Sequence, residues 1–386
     1  MVQAALAVNI SRRATRVAVS VFFFLAGFCF ASWASRIPNI QQKLQLSEGG
    51  LGTVLLSLPV GLMVSLPFSG VLVSKFGSRK IVILAALLYA CTLPFLGLVA
   101  EVWQLSLTLF FFGFFGNLFN ISVNTQAVGI ETIYGRSIMA SFHGLWSLAG
   151  FSGGSIGTLM VSSDISPFAH FCIVSSAEIL TVIVTCKYLL FSDAKHAKKQ
   201  PLFVMPDSFL LKLGLIAFCC MICEGTMFEW SGVYLKKAVQ ASPELVPLGL
   251  TAFMSTMAAG RFTGDWLSEK LGKKTMIQMS GLVIAAGFLL AVFFPYVITT
   301  ISGFLLVGIG VSSVVPLVYG TAGRSKTMPS GMAIASVSSI GYSGFLFGPP
   351  LIGFIAEASN LRWSFAVIAL LGFCTTLLAT FTRIEK

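Results

Sequence analysis

The amino-acid sequence predicts an all-α integral membrane protein, with twelve transmembrane helices in two pseudo-symmetric six-helix bundles. Its composition, its uncharged runs and the echo between its halves carry that reading. Of 386 residues, 56% are hydrophobic and only 10% charged, against about a quarter charged in a soluble globular chain. A soluble domain has too little interior to hide so much apolar surface. Runs such as Val17 to Trp33, Ile81 to Ala100 and Met279 to Phe294 carry no charge. At about 1.5 Å per residue they are long enough to cross roughly 30 Å of hydrocarbon. In lipid every backbone amide needs a partner in its own helix or in a closed barrel. A barrel would show alternating strands of about ten residues, which continuous apolar runs are not.

Taken in order, the apolar segments predict helices at about 14–35, 50–73, 80–100, 103–126, 137–161 and 168–191. A second series follows at 208–235, 246–268, 275–296, 299–320, 329–356 and 361–382. Arg12, Arg13 and Arg16 precede the first run, but that run is too long for a signal-peptide core and has no small-residue cleavage pattern, so it is expected to be a retained span. The longest polar stretch, Ser192 to Pro206, contains Lys195, His196, Lys198 and Lys199. It is expected to be a cytoplasmic linker between an N-terminal bundle, 1–191, and a C-terminal bundle, 207–386. Alternate loops hold most of the basic residues, among them Arg12, Arg13, Arg16, Lys75, Arg79, Lys80, Arg136, Lys198, Lys270, Lys273, Lys274 and Lys326. The opposite loops hold Arg36, Lys43, Lys236, Lys237 and Arg362. That asymmetry puts both termini on the cytoplasmic side of a bacterial inner membrane. It also accounts for the net charge of +11 without invoking nucleic acid.

The eight cysteines lie mostly inside apolar segments, so no disulfide framework is implied. Cys220 and Cys223 have C-x-x-C spacing, but without partner ligands they read as small core residues. No metal site and no cofactor are expected.

The halves repeat. Gly77 and Gly272 lie 195 positions apart, as do Ser47 and Ser242, and Gly153 and Gly348. A common offset of half the chain is what a duplicated six-helix unit leaves. The loop after the second span reads Gly70-Val-Leu-Val-Ser74-Lys75-Phe-Gly77-Ser-Arg79-Lys80. The loop after the eighth keeps Glu269, Lys270, Gly272 and Lys274, with Asp265 where a first glycine would fall. In these paired loops, the basic central stretch and the twelve spans, the chain resembles the major facilitator superfamily over essentially its whole length. Ser32-Trp33-Ala-Ser-Arg36-Ile-Pro38, Asn120-Ile-Ser-Val-Asn124-Thr-Gln126, Ser141-Phe-His143-Gly144 and Gly348-Pro349-Pro350 make it most similar to fucose-permease-like carriers. Ser74 stands where the family usually has an acid, and the fifth span lacks the proline of many drug antiporters. The resemblance implies alternating access. Two bundles would rock about a central site lined mainly by spans 1, 4, 7 and 10, with the paired loops (Gly70, Lys75, Gly77, Arg79, Lys80, Lys270, Gly272, Lys274) acting at the gate.

The residues themselves offer candidates for that site. Asn117, Asn120 and Asn124 recur at intervals of three and four, so they share one face of the fourth span. They can hydrogen-bond a polar solute or fix helix packing. Glu224 lies deep in the seventh span and Glu229 about 140° further around the same helix. An intramembrane carboxylate is costly to ionise and is expected to be functional, so Glu224, or else Glu229, is a candidate proton carrier. Both being structural is the alternative. Trp230 can stack on a sugar ring or anchor at the interface. Trp33 and Arg36 end the first span, where Arg36 can meet an anionic solute, cap the outer gate or snorkel to the headgroups. His143, inside the fifth span, can move protons or merely donate a packing hydrogen bond. Glu178 in the sixth span, a helix that the resemblance makes peripheral, is expected to have a structural partner or a water pocket, with direct coupling the lesser alternative. Arg261 and Asp265, four apart, together with Glu131, are expected to form a cytoplasmic gate cluster. Gly341, Gly344 and Gly348 with Pro349 and Pro350 suit a helix that packs closely and bends.

These observations lead to the expectation of a secondary transporter of a small polar solute, such as a sugar or related metabolite. It is expected to be coupled to protons, with sodium as an open alternative, and to work as a monomer. Export of amphipathic compounds is the competing reading, on 13 methionines and 35 phenylalanines. An enzyme is not expected: no H-E-x-x-H or G-x-S-x-G occurs and there are three histidines in all. No P-loop and no soluble domain points to ATP-driven pumping.

Overall fold

A computed structural model describes residues 11–134, 138–191, 206–325, 327 and 330–384. The expected linker therefore lies outside the described residues except for Pro206, as do Arg136 and Lys326. The side chains of Ala140, Asp265, Ser330, Gly331 and Ala335 are likewise outside them. The first set of helices is α1 (Arg12–Ala34), α2 (Ile37–Lys43), α3 (Glu48–Leu55), α4 (Ser57–Phe76), α5 (Ser78–Leu98), α6 (Val102–Tyr134), α7 (Met139–Ser162) and α8 (Pro167–Thr185). The second set is α9 (Ser208–Lys237), α10 (Leu248–Leu271), α11 (Lys273–Phe293), α12 (Val297–Ala322), α13 (Ser330–Ala358) and α14 (Leu361–Phe381). The chain is an all-α membrane protein. Its long helices run alternately up and down, so one end of the bundle, the base, carries the start of α1 and the end of α14. The other end, the top, carries the α1–α4 and α9–α10 connections.

Two departures from the predicted segments matter. The second span opens as two pieces, α3 and α4, and α6 runs on to Tyr134, well past the expected end. Among the described residues, ten helical segments are long and apolar enough to cross a membrane by length and composition. The other two long helices, α7 and α10, pack against each other between the two sets. A helix covered by protein on that flank needs less hydrocarbon on its surface, and there α10 carries Arg261, which bonds Ser147 of α7.

Local chemistry fixes the helix ends. Ser47, Ser166, Asp207 and Asn360 each cap a helix by accepting a hydrogen bond from a backbone N–H of its first turn. Asp207 also accepts from the Thr327 hydroxyl, and these bonds hold its carboxyl below the usual range. The repeat is visible in the backbone itself. Gly77 sits at φ 83°, ψ 145° and Gly272 at φ 79°, ψ 146°, each ending one helix and starting the next. Two residues further on, Arg79 donates to the Cys186 carbonyl at the base of α8, and Lys274 donates to the Thr380 carbonyl at the base of α14. Each half thus ties the start of its third span to the end of its sixth.

The few basic residues at the top are all engaged. Arg36 donates to His170 Nδ1 at 3.1 Å and to the Ile165 carbonyl. Lys43 donates to the Gly97 carbonyl and Arg362 to that of Val292. Lys236 reaches the Pro38 carbonyl and Gln42 Oε1, and Lys237 pairs with Glu48 at 2.7 Å. The last two join α9 to α2 and α3, so they close the top between the two sets. Beside them Gly52 meets the backbone of Pro349 and Gly353 so closely that a methyl group at Gly52 would collide.

Gly272 has open space around it, so only its backbone conformation demands glycine. Gly272→Ala is expected to destabilise the protein by about 1–3 kcal/mol, read as a lower melting temperature in detergent. Gly70→Ala, a helical position with equally open space, is expected to leave the melting temperature unchanged or raise it, since alanine favours helix.

Candidate functional site

A cavity of about 700 Å³ lies between the two sets of helices at mid-depth. Its wall comes mostly from α1, α6, α9 and α12, the four spans the resemblance implied, with additions from α4, α5, α7, α10 and α13. Toward the top it is roofed by Phe30, Trp146 and Phe228. Phe30 and Phe228 meet edge to face with ring centres 5.2 Å apart, and Trp146 and Phe228 at 6.0 Å. This roof joins the two sets, since Phe30 and Trp146 belong to the first and Phe228 to the second. Toward the base the wall holds Asn124, Met139, His143, Leu317 and Tyr319.

The charged centre is Glu224, Arg261 and Ser147. Glu224 lies midway along α9 and Arg261 midway along α10. Arg261 Nη2 sits 3.3 Å from Glu224 Oε1, with the two side chains 18% and 8% exposed. Its Nη1 donates to Ser147 Oγ at 2.7 Å, and its guanidinium lies 5.7 Å from the centre of the Trp146 ring. Arg261 therefore holds its own set's carboxylate with one nitrogen and the other set's α7 with another. A guanidinium suits this because its planar fork presents donors in several directions at once.

This placement corrects the expected gate cluster. The predicted span ended at 268, but α10 continues to Leu271, so Arg261 stands ten residues, about 15 Å, above the base and faces the cavity. Glu131 is not its partner either: Glu131 Oε1 accepts from the backbone N–H groups of Ile138 and Met139, capping α7. The side chain of Asp265 lies outside the described ones.

The asparagine face divides. Asn117 borders the cavity too, but it is 5% exposed and donates its amide nitrogen to Ser65 Oγ at 2.6 Å and to the Leu62 carbonyl, so that donor packs α6 on α4. Asn124 donates to Asn120 Oδ1 at 2.9 Å. That leaves the amide nitrogen of Asn120 and the amide oxygen of Asn124 to the cavity, which both residues line. His143 lines it too, its ring edge-on to Phe23 at 5.4 Å. Glu229 also reaches the cavity although it points about 140° away from Glu224; a helix that projects into a cavity offers more than one face to it.

Three expected binding residues are placed elsewhere. Trp33 and Trp230 are 1% and 0% exposed and line no part of the cavity. Arg36, 2% exposed, is spent on His170 and Ile165 at the top of the first set. Span-end position suggested a solute-facing or interfacial role, but each points into the protein. In the paired loops, the described contacts of Lys75, Arg79, Lys270 and Lys274 stay within their own set of helices. Sequence reasoning missed Ser147, Trp146, Tyr89, Tyr319, Tyr342 and Phe345. The one available signal was Trp146-Ser147, a turn beyond His143 on the face already singled out.

The family model of the Major Facilitator Superfamily matches residues 18–325 and again 213–386. The chain belongs to the major facilitator superfamily. Among curated proteins, a Yersinia pestis protein described as an uncharacterized MFS-type transporter is 33% identical over 92% of this chain and 92% of its own length. The membrane protein MosC of Rhizobium meliloti is 30% identical over 94% of this chain and 89% of its own. The matched superfamily is one of transporters, not enzymes, and the Yersinia pestis relative is named as a transporter. Solved structures share the fold at low identity. The nucleoside transporter NupG superposes with a TM-score of 0.75 at 13% identity, covering 95% of this chain and 100% of NupG. A D-xylose–proton symporter superposes with 0.74 at 13%, covering 96% and 98%. A bacterial homologue of the lysosomal transporter Spinster, solved inward-facing and unoccupied, superposes with 0.76 at 14%, covering 95% and 96%.

Removing Glu224 leaves a guanidinium half-paired in a poorly hydrated site. Glu224→Ala is expected to cost about 3 kcal/mol, seen as a lower melting temperature. Glu224→Leu combined with Arg261→Met is expected to cost less than Glu224→Ala alone. Equal or greater loss in the double variant would mean that the pair is not the interaction being removed.

Proposed function

We propose that this superfamily member carries a small polar solute across a bacterial inner membrane by alternating access, coupled to protons, as a monomer. The single observation that supports this best is the Glu224–Arg261–Ser147 link, an ion pair at mid-membrane that also bonds the two sets of helices to each other. With both termini cytoplasmic, the base is the cytoplasmic side. The closed top and the cavity reaching baseward then describe a carrier loaded from or emptied to the cytoplasm.

In this reading Glu224 is the coupling carboxylate. A proton arriving on Glu224 Oε1 removes the negative charge that holds Arg261 Nη2. Arg261, still anchored to Ser147, then has a free donor for an oxygen of the solute. Asn120 and Asn124 offer one donor and one acceptor from the opposite wall, the pattern that hydroxyl or amide groups recognise. The rings of Phe30, Trp146, Phe228 and Phe345 cover the apolar face of a sugar, base or cyclitol. The NupG and D-xylose–proton symporter likenesses accord with such a solute without selecting one. Glu229 and His143 are the further candidates for carrying the proton. The apolar share of the lining, with Met139 and Met221, supports amphipath export as the second reading.

Thermal unfolding of the purified protein separates the two. A ligand that binds only the folded state raises its melting temperature. D-Hexoses, pentoses, polyols and nucleosides are expected to include a stabilising class, with the shift lost in Asn120→Ala. Stabilisation by tetraphenylphosphonium alone would contradict the polar-solute reading. With the stabilising solute in proteoliposomes, an inward proton gradient is expected to drive accumulation. Glu224→Gln is expected to abolish accumulation while retaining solute exchange. Accumulation driven by a sodium gradient at equal pH would overturn proton coupling.

A further inference from the structure

Among the described residues, one buried carboxyl takes no part in the cavity. Glu178 lies midway along α8 and is 3% exposed, and its Oε1 has no hydrogen-bond partner. No salt bridge reaches it among the described residues. The ionisable groups facing it from the helices packed on α8 are the Cys29 thiol on α1 and the Tyr89 hydroxyl on α5, both buried. On α8 itself, two turns toward the top, His170 is already engaged by Arg36. A carboxylate with no cation and an unpaired oxygen, at membrane depth, costs several kcal/mol to keep ionised. With a proton it becomes a neutral donor beside a thiol and a phenol. Even so, an apolar side chain would fill the place at less cost.

The position of Tyr89 supplies the reason for an acid. Tyr89 borders both Glu178 and the cavity: the carbonyl of the next residue, Ala90, accepts from Ser175 a turn above Glu178 on α8, while the Tyr89 ring stacks on Phe112 at 4.3 Å and lines the cavity wall beside Gly116. We propose that Glu178 is a second proton-binding site of this transporter, in the first set of helices, which exchanges its proton with the cavity through the Tyr89 hydroxyl. The step balances as a relay. When the Glu178 side chain swings its unpaired oxygen onto the Tyr89 hydroxyl, Glu178 gives its proton to the Tyr89 oxygen, Tyr89 gives its own to cavity water, and reloading runs the reverse path. Glu224 serves the second set of helices and Glu178 the first, so each side of the moving interface holds one proton site. The proposal rests on the proton-coupled reading only for its consequence for transport. Its test reads the proton of Glu178 itself.

The test is infrared spectroscopy of the full-length protein in detergent or lipid. The wild type is expected to show a carboxylic-acid carbonyl stretch that shifts down in D2O and is lost in Glu178→Gln but kept in Glu224→Gln. Cys29→Ala, which removes the neighbour and keeps the acid, is expected to move that stretch, so the assignment survives if Glu178→Gln fails to fold. Tyr89→Phe is expected to keep the stretch and slow its D2O shift. A stretch absent from the wild type, or unchanged in both Glu178→Gln and Cys29→Ala, would overturn the protonated site. An unchanged exchange rate in Tyr89→Phe would overturn the relay. Loss of the stretch in Glu224→Gln with none remaining for Glu178 would confine proton binding to the main cavity and overturn the second site, while leaving the proton-coupled reading intact.

Discussion

The structure depends on one guanidinium. Arg261 is a permanent cation halfway through a membrane, where an unpartnered charge is costly. It is held by Glu224 from its own set of helices and by Ser147 and Trp146 from the other. No other described side chain of the charged centre bonds both sets. The remaining contacts around the cavity are aromatic and slide at little cost, whereas in the proton-coupled reading proposed above this link has two states, with Glu224 charged or neutral. An element with two discrete arrangements is what a carrier needs in order to alternate, since packed interfaces switch more readily than they deform.

The same cost of unpartnered charge explains the rest of the basic residues. At the top each arginine or lysine is fixed to a backbone carbonyl, a side-chain amide, a histidine or an acid. The loops at the base use Arg79 and Lys274 the same way, at equivalent places in the two halves. The repeat therefore survives most clearly where backbone geometry and helix-end chemistry require it, at Gly77 and Gly272 and at the two clamps beyond them. It has faded in the cavity, where the halves contribute different chemistry: amides and His143 from the first, Glu224, Glu229 and Arg261 from the second.

What could be read from the sequence follows the same division. Span number and order were legible because a run without charge in lipid has little choice but a helix, and the glycines of the repeat were legible because no other residue takes their backbone. The site was legible in part. Glu224, Asn120, Asn124, Glu229 and His143 were singled out by polarity at depth and do line the cavity. Arg261 was misplaced because α10 keeps its helix through the charged pair Glu269 and Lys270 to Leu271, so its depth was underestimated. Trp33, Arg36 and Trp230 were misjudged because position near a span end says nothing about which way the side chain turns; burial decided that. Asn117 shares a face with Asn120, yet Ser65 on the neighbouring α4 claims it, and a single-helix pattern does not contain its neighbours.

The central claim is that the charge on Glu224 sets the relation between the two sets of helices. Its most direct test is an electron–electron resonance distance between spin labels at Thr132, near the base of α6, and Leu271, at the base of α10, two exposed positions on opposite sets. The account predicts that acidification shifts the distance distribution in the wild type, and that Glu224→Gln shows the acid-like distribution at every pH. A distribution that responds to pH equally in Glu224→Gln and wild type would contradict it.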